Sequence, residues 1–149
     1  MDPVTLLLIS GVAIAFLRLF AKKKTITSPP KAIAAALQAA SKKYNVPLSI
    51  LTGVAYVESR FDNSQISPAG AIGVMQLMPG TASGLGVDPY NATQNIMGGA
   101  KYLSILYKKY GDWNTVFAAY NWGPGNVDKS IPWPGSVQLY IRKVNEATV

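Results

Sequence analysis

Residues 48–82 read LSILTGVAYVESRFDNSQISPAGAIGVMQLMPGTA, an apolar run that reaches Glu58 and then breaks into glycines. Pro47 opens a helix over Leu48 to Ser59, with Leu51, Val54, Ala55 and Glu58 on neighbouring turns. Phe61 to Asp88 is rich in loops, punctuated by Gly70, Gly73, Gly80, Gly84 and Gly86 between short helical pieces. Glu58 therefore closes a helix just behind Val54-Ala55-Tyr56-Val57. The helix dipole and apolar burial both disfavour a negative charge there. They move a carboxyl upward from about 4.3, towards the range in which it donates a proton near neutrality. By its position alone, Glu58 fits equally a surface residue paired with Arg60 or Lys42.

Outward from this stretch the pattern stays helical. Lys31 to Tyr44 spaces Ile33, Leu37, Ala40 and Tyr44 three or four apart behind Pro29-Pro30. Asn95 to Tyr110 reads as a longer helix stopped by Gly111. Asp112 can cap Trp113 to Tyr120, which ends at the breaker Gly123-Pro124-Gly125, and Ser136 can cap a last helix carrying Val137, Tyr140, Ile141 and Val144. Strands of period two and internal repeats do not stand out. The fold class expected is mainly α. The remaining acids have ordinary explanations: Asp112 as a cap, Asp88 in a turn before Pro89, Asp128 and Glu146 in polar surroundings.

Val4 to Phe20, VTLLLISGVAIAFLRLF, is nearly unbroken apolar sequence followed by Lys22-Lys23-Lys24. As a helix it spans about 25 Å, adequate for a bilayer core of about 30 Å if Arg18 and the lysines snorkel. A buried core helix fits less well, because a solvated lysine run and a Pro-rich segment follow at once. A cleaved signal peptide fits poorly too, since Asp2 and no cation precede the run. The expected organisation is an N-terminal transmembrane anchor with its basic flank over 1–24, a linker over 25–30, and one catalytic domain over 31–149. The positive-inside rule would place that domain on the cytoplasmic side.

The 149-residue chain carries a net charge of +7, but beyond residue 30 ten cations face six acids, a mild excess suited to an anionic polymer or headgroup layer. No basic cluster interleaved with aromatics points to nucleic acid. The chain has no Cys and no His, which excludes thiol nucleophiles, His-containing triads and His-ligated zinc. No metal and no cofactor are expected. The available chemistry is that of carboxylates, hydroxyls, amides and lysines.

Four blocks carry a family resemblance. Glu58-Ser59-Arg60-Phe61 with Ser67-Pro68-Ala69-Gly70-Ala71-Ile72-Gly73-Val74-Met75-Gln76-Leu77-Met78-Pro79 resembles the Glu-Ser pair and the Ser-Pro-x-Gly-Ala-x-Gly-Leu-Met-Gln-x-Met-Pro segment of lytic transglycosylases. Asp88-Pro89, Asn95-Ile96, Gly99 and Tyr102-Leu103 resemble the third block. Ala118-Ala119-Tyr120-Asn121-Trp122-Gly123-Pro124-Gly125 resembles the Ala-Tyr-Asn-x-Gly-Pro-Gly block. Ordered blocks at sensible spacing over residues 31–145 are far more specific than one short motif. Val74 and Trp122 depart from the usual Leu and small residue.

The resemblance implies a lysozyme-like helical domain with Glu58 as general acid and then base. Ser67 would bond near the catalytic carboxyl or the substrate's N-acetyl group, Gln76 and Met78 would line a glycan groove, and Tyr120 would contact Glu58 or the neighbouring sugar. Asn121 is a structural or binding candidate. Met75 and Leu77 could equally be core; Trp113 reads as core and Trp122 stays open. Ordinary glycosidases use two carboxyl groups. The segment between Asp62 and Asp88 contains no acid, whereas goose-type lysozymes typically have an Asp in the corresponding place. Asp62 itself suits a cap or turn. A lone acid suffices if the muramoyl 6-hydroxyl attacks intramolecularly, closing a 1,6-anhydro ring.

The implied reaction is non-hydrolytic cleavage of peptidoglycan between N-acetylmuramic acid and N-acetylglucosamine. A muramidase using the same Glu58 with water, or an inert anchored wall-binding or assembly protein, stays open. The implied partners are glycan strands, a membrane through the N-terminal segment, and envelope or virion assembly partners. The catalytic domain would face the wall of a bacterial envelope or serve a phage virion with its own lipid layer.

Overall fold

The computed structural model describes residues 27–148. The anchor expected over Val4 to Phe20 and its lysine flank lie outside those residues. Among the described residues no helix is long and apolar enough to cross a membrane.

Seven helices follow one another there: α1 Lys31–Tyr44, α2 Leu48–Ser59, α3 Pro79–Leu85, α4 Ala92–Tyr110, α5 Trp113–Trp122, α6 Pro124–Val127 and α7 Gly135–Ala147. Among the described residues extended structure is limited to isolated bridges, Ile66 to Ile72 and Ile72 to Leu77, within the loop between α2 and α3. The domain is mainly α, as its periodicity implied. Helix α1 packs on α4, α2 on α7, and α5 on both α4 and α7. Leu37, Leu51, Val54, Ile96, Leu103, Val116 and Phe117 are almost wholly removed from water between them. At about 25 cal/mol per Å² this burial is the main force holding the helices together.

The element ends show which local signals governed. Asn45, Gly86 and Gly111 end α1, α3 and α4 in the left-handed conformation. Asp112 caps α5 by accepting from the Thr115 N–H, as expected. Helix α4 begins three residues before the expected Asn95, because the Asn91 side chain accepts from the Gln94 N–H and caps it earlier. Ser136 does not cap α7; Pro134 precedes its first turn without any side-chain cap. The breaker after α5 turns the chain at Gly123, with φ of 92°, and Pro124 at once starts the short α6.

Glycine is required at two places that shape the loop. At Gly73, φ is 78° and an added Cβ would stand 2.6 Å from Asn95 Nδ2. At Gly99 a Cβ would stand 2.6 Å from Met75 Cγ, so the missing side chain lets the loop sink onto α4.

Candidate active site

Glu58 is the penultimate residue of α2, and the chain leaves that helix through two consecutive left-handed residues, Arg60 (φ 54°) and Phe61 (φ 70°). Positive φ is costly for residues with a Cβ, and a buried phenyl ring holds it here. Phe61 is buried and its ring lies 5.7 Å from that of Tyr56. Beside Glu58, the buried Ser59 hydroxyl donates to the Val74 carbonyl at 2.8 Å, stitching the end of α2 to the glycine-rich loop.

The Tyr140 hydroxyl, brought from α7, donates to Glu58 Oε1 at 2.5 Å. Burial pushes the Glu58 carboxyl from 4.5 up to about 7, and the Tyr140 hydrogen bond pulls partly the other way. The upward direction agrees with the expectation from the apolar run. Among the described residues the only ion pair is Lys109–Asp128, so Glu58 is paired with neither Arg60 nor Lys42. No other carboxylate contributes to the Glu58 shift.

Among the described residues the remaining acids are engaged elsewhere or exposed. Asp62 Oδ1 accepts from the backbone N–H and the hydroxyl of Ser64, which holds its carboxyl below the usual range and makes it a turn residue. Asp88 accepts from the Tyr90 N–H. Asp128 is fixed by Lys109 and Tyr110, and Glu146 is exposed on α7. Glu58 thus titrates near neutrality by itself, able to give up a proton and take one back.

A cavity of ≈ 260 Å³ opens between the glycine-rich loop and α5, with Gln76, Met78, Tyr102, Tyr120, Asn121 and Trp122 among its walls. Four residues singled out in the sequence, Gln76, Met78, Tyr120 and Asn121, therefore converge on it. Met78 is 44% exposed there, whereas Met75 is fully buried and belongs to the core. The rings of Tyr102 and Tyr120 lie 5.5 Å apart. Glu58 and Ser67 are not walls of this cavity.

Burial, and after it the Glu58 charge, raises the Tyr120 hydroxyl well above its ordinary value. The Tyr120 hydroxyl does not bond to Glu58; it donates to the Met75 carbonyl at 2.7 Å. Ser67 turns its hydroxyl to the Ala71 N–H and closes its own loop. The Gln76 side-chain nitrogen donates to the carbonyls of Gln65 and Gly73, holding Gln76 at a φ of 48°.

Two residues that bear on the site escaped the sequence reading. Tyr140 read only as an apolar position of the last helix, because nothing local signals a partner 82 residues away. Asn95 read as a motif residue without a role. It is fully buried, accepts from the Met75 N–H, and donates to the carbonyls of Ile72 and Pro89. That satisfies an entire side-chain amide and clamps the loop to α4. A polar residue beside Ile96 and one turn before Gly98 and Gly99, where the helix can be approached closely, was the available signal.

Known proteins resemble the chain over most of its described residues. The chain is 43% identical over 107 residues to a transglycosylase of Enterobacteria phage PRD1, covering 69% of this chain and 40% of that one. It is 36% identical over 107 residues to membrane-bound lytic murein transglycosylase C of Glaesserella parasuis, covering 58% and 29%. The fold superposes on the lytic transglycosylase Slt of Pseudomonas aeruginosa, crystallised as an inactive glutamate-to-glutamine variant, with a TM-score of 0.68. That match has 28% identity and covers 77% of this chain and 23% of the other. The chain spans less than half the length of each of these relatives. The transglycosylase SLT domain model matches residues 35–138. With most of the chain matched and its helices superposed on those of a lytic transglycosylase, the protein belongs to the transglycosylase SLT domain family.

Proposed function

We propose that this protein is a lytic transglycosylase that cuts the β-1,4 bond between N-acetylmuramic acid and N-acetylglucosamine in peptidoglycan. The observation that carries the reading is Glu58: a carboxyl raised to about 7 by burial, hydrogen-bonded to Tyr140, with no second carboxylate acting on it. Protonated Glu58 donates to the glycosidic oxygen as the bond to the anomeric carbon breaks. The substrate acetamido group stabilises the cationic centre. The resulting Glu58 carboxylate takes the proton of the muramoyl 6-hydroxyl, whose oxygen closes the 1,6-anhydro ring. The proton is thereby returned to Glu58 and no water is consumed. Intramolecular attack has a large proximity advantage.

The surrounding residues divide the work. Tyr140 fixes the carboxyl and eases its ionisation after the first proton transfer. Gln76, Met78, Tyr120, Asn121 and Trp122 hold the glycan, with Tyr120 keeping the groove and the Glu58 pocket in register through the Met75 carbonyl. Ser67 acts one step back, holding the loop. The apolar residues 4–20 anchor the domain in a membrane, of a bacterial envelope or of a lipid-containing virion. The membrane-bound and phage relatives support that placement.

Mass spectrometry of digested sacculi, wild type beside Glu58→Gln, is the test. Anhydro-muramoyl ends from wild type alone are expected, with the variant slower by at least roughly a thousandfold. Reducing ends would convert the reading to hydrolysis by the same residue. Equal product from both proteins would remove Glu58 from the chemistry.

A further inference from the structure

Away from the Glu58 groove, the ends of α1, α4 and α5 border two adjoining open depressions of ≈ 430 and ≈ 490 Å³ that share Asn45, Val46, Tyr107 and Trp113 as walls. A stack of aromatic rings crosses this surface. Trp113 lies 6.0 Å from the buried Phe117 on one side and 4.3 Å from Tyr107 on the other. Tyr107 ends the stack at 39% exposure. The outermost ring is thus backed by the core and loses little freedom when a ligand lies on it. Lys42, Lys43 and Lys108 are exposed around it, and no Asp or Glu is among the walls.

The place is separate from the groove. It borders Pro47 at the start of α2, about 16 Å by helix rise from Glu58 at the other end. Tyr107 and the groove residue Tyr102 both sit on α4, five residues and therefore about 140° apart around its axis.

We propose that this aromatic and lysine-lined surface is a second binding site for peptidoglycan, taking an uncleaved strand while another segment occupies the groove. The inference builds on the substrate proposed above. A pyranose ring offers an apolar face to a rigid aromatic, and the lactyl and peptide carboxylates of the wall polymer suit three lysines unopposed by acid. The surface is concave, which favours a protruding sugar or peptide over a flat lipid layer. Its use is retention: the enzyme stays on the wall between cuts.

The test measures pelleting of the full-length chain in detergent with purified sacculi, in a Glu58→Gln background so that the sacculi survive. Lys42→Glu/Lys43→Glu/Lys108→Glu and, separately, Tyr107→Ser should each lower the retained fraction at least five-fold. Lys31→Glu/Lys129→Glu/Lys143→Glu makes the same charge change on other exposed lysines and should lower it less than two-fold. With Glu58 restored, the groove-distant variants should cleave a soluble glycan tetrasaccharide at the wild-type rate.

Equal losses from the two lysine triples, or no loss from the first, overturn the proposal. So does loss of binding to anionic phospholipid vesicles with sacculus binding intact, which would assign the surface to a membrane. If wild type cleaves neither sacculi nor the tetrasaccharide, the proposed reaction fails. Retention that still depends on Lys42, Lys43, Lys108 and Tyr107 would then uphold the second site alone.

Discussion

The loop over residues 60–78 and the helical scaffold of α1, α4 and α5 share one apolar core but differ in what fixes their backbone. The scaffold is closed by apolar packing around Leu37, Leu103 and Phe117. The loop buries Phe61, Ile72, Val74, Met75 and Leu77 as well, but its backbone is also fixed by side chains bonding to it: Ser59 to Val74, Asn95 to Ile72 and Met75, Tyr120 to Met75, and Gln76 to Gly73. Packing tolerates small displacements, since it is not directional. A hydrogen bond with one partner removed leaves a buried group unsatisfied. The difference teaches where precision is needed: the backbone beside Glu58 is positioned by polar clamps, and the rest only has to stay folded.

The largest test of this contrast pairs two truncations of similar cost. Asn95→Ala removes three hydrogen bonds, orphans the Met75 N–H and the Pro89 carbonyl, and should destabilise by about 3–5 kcal/mol. Leu103→Ala leaves a cavity and should cost about 2–5 kcal/mol. Measured well below each variant's melting temperature, Asn95→Ala should lose most of its turnover and Leu103→Ala almost none. Equal turnover in the two would erase the distinction between clamped loop and packed scaffold.

A somewhat smaller effect concerns the carboxyl lodged between the two regions. With its folded value raised to about 7 against 4.5, Glu58 gives stability that is complete below about 4.5 and lost as pH rises through 7. Ionising it in the fold costs on the order of 3 kcal/mol. Glu58→Gln should therefore melt higher than wild type at pH 8, with the advantage vanishing by pH 4. Parallel melting curves across that range would mean the carboxyl is as well solvated as in the unfolded chain.

Tyr140→Phe acts more gently. It removes the one contact that favours the ionised form, so Glu58 should titrate higher still. The alkaline fall of the rate, centred near 7 in wild type, should move up in pH, with turnover reduced roughly three- to ten-fold. An unmoved profile would reduce Tyr140 to packing.

Smallest of all is Asp128→Asn at the rim. The Lys109–Asp128 pair is about half exposed, at 48% and 45%, and screened by water and salt. A change in melting temperature beyond about two degrees would show that this corner contributes more to α6 than an exposed pair should.

Much of the fold was legible because its helices are set by short-range rules. Alternation at three and four residues located α1 and α2 to the residue, and Asp112 announced α5. The misplaced starts of α4 and α7 have one cause: Asn91 and Ser136 both look like caps, and only the conformation around each decides which is used. The site was legible in part. Gln76, Met78, Tyr120 and Asn121 do share a cavity. The hydroxyls of Ser67 and Tyr120, expected to meet either the carboxyl or the substrate, bond here to the Ala71 N–H and the Met75 carbonyl.

The sequence by itself determined the helices, the ordered motif blocks and an acid at the close of an apolar helix, since each depends on residues within a turn or two. Only the tertiary structure decided that Tyr140 reaches Glu58, that Asn95 clamps the loop, and how far the carboxyl is moved. Those depend on which surfaces exclude water together, and water exclusion is a property of the packed helices that no local spacing encodes.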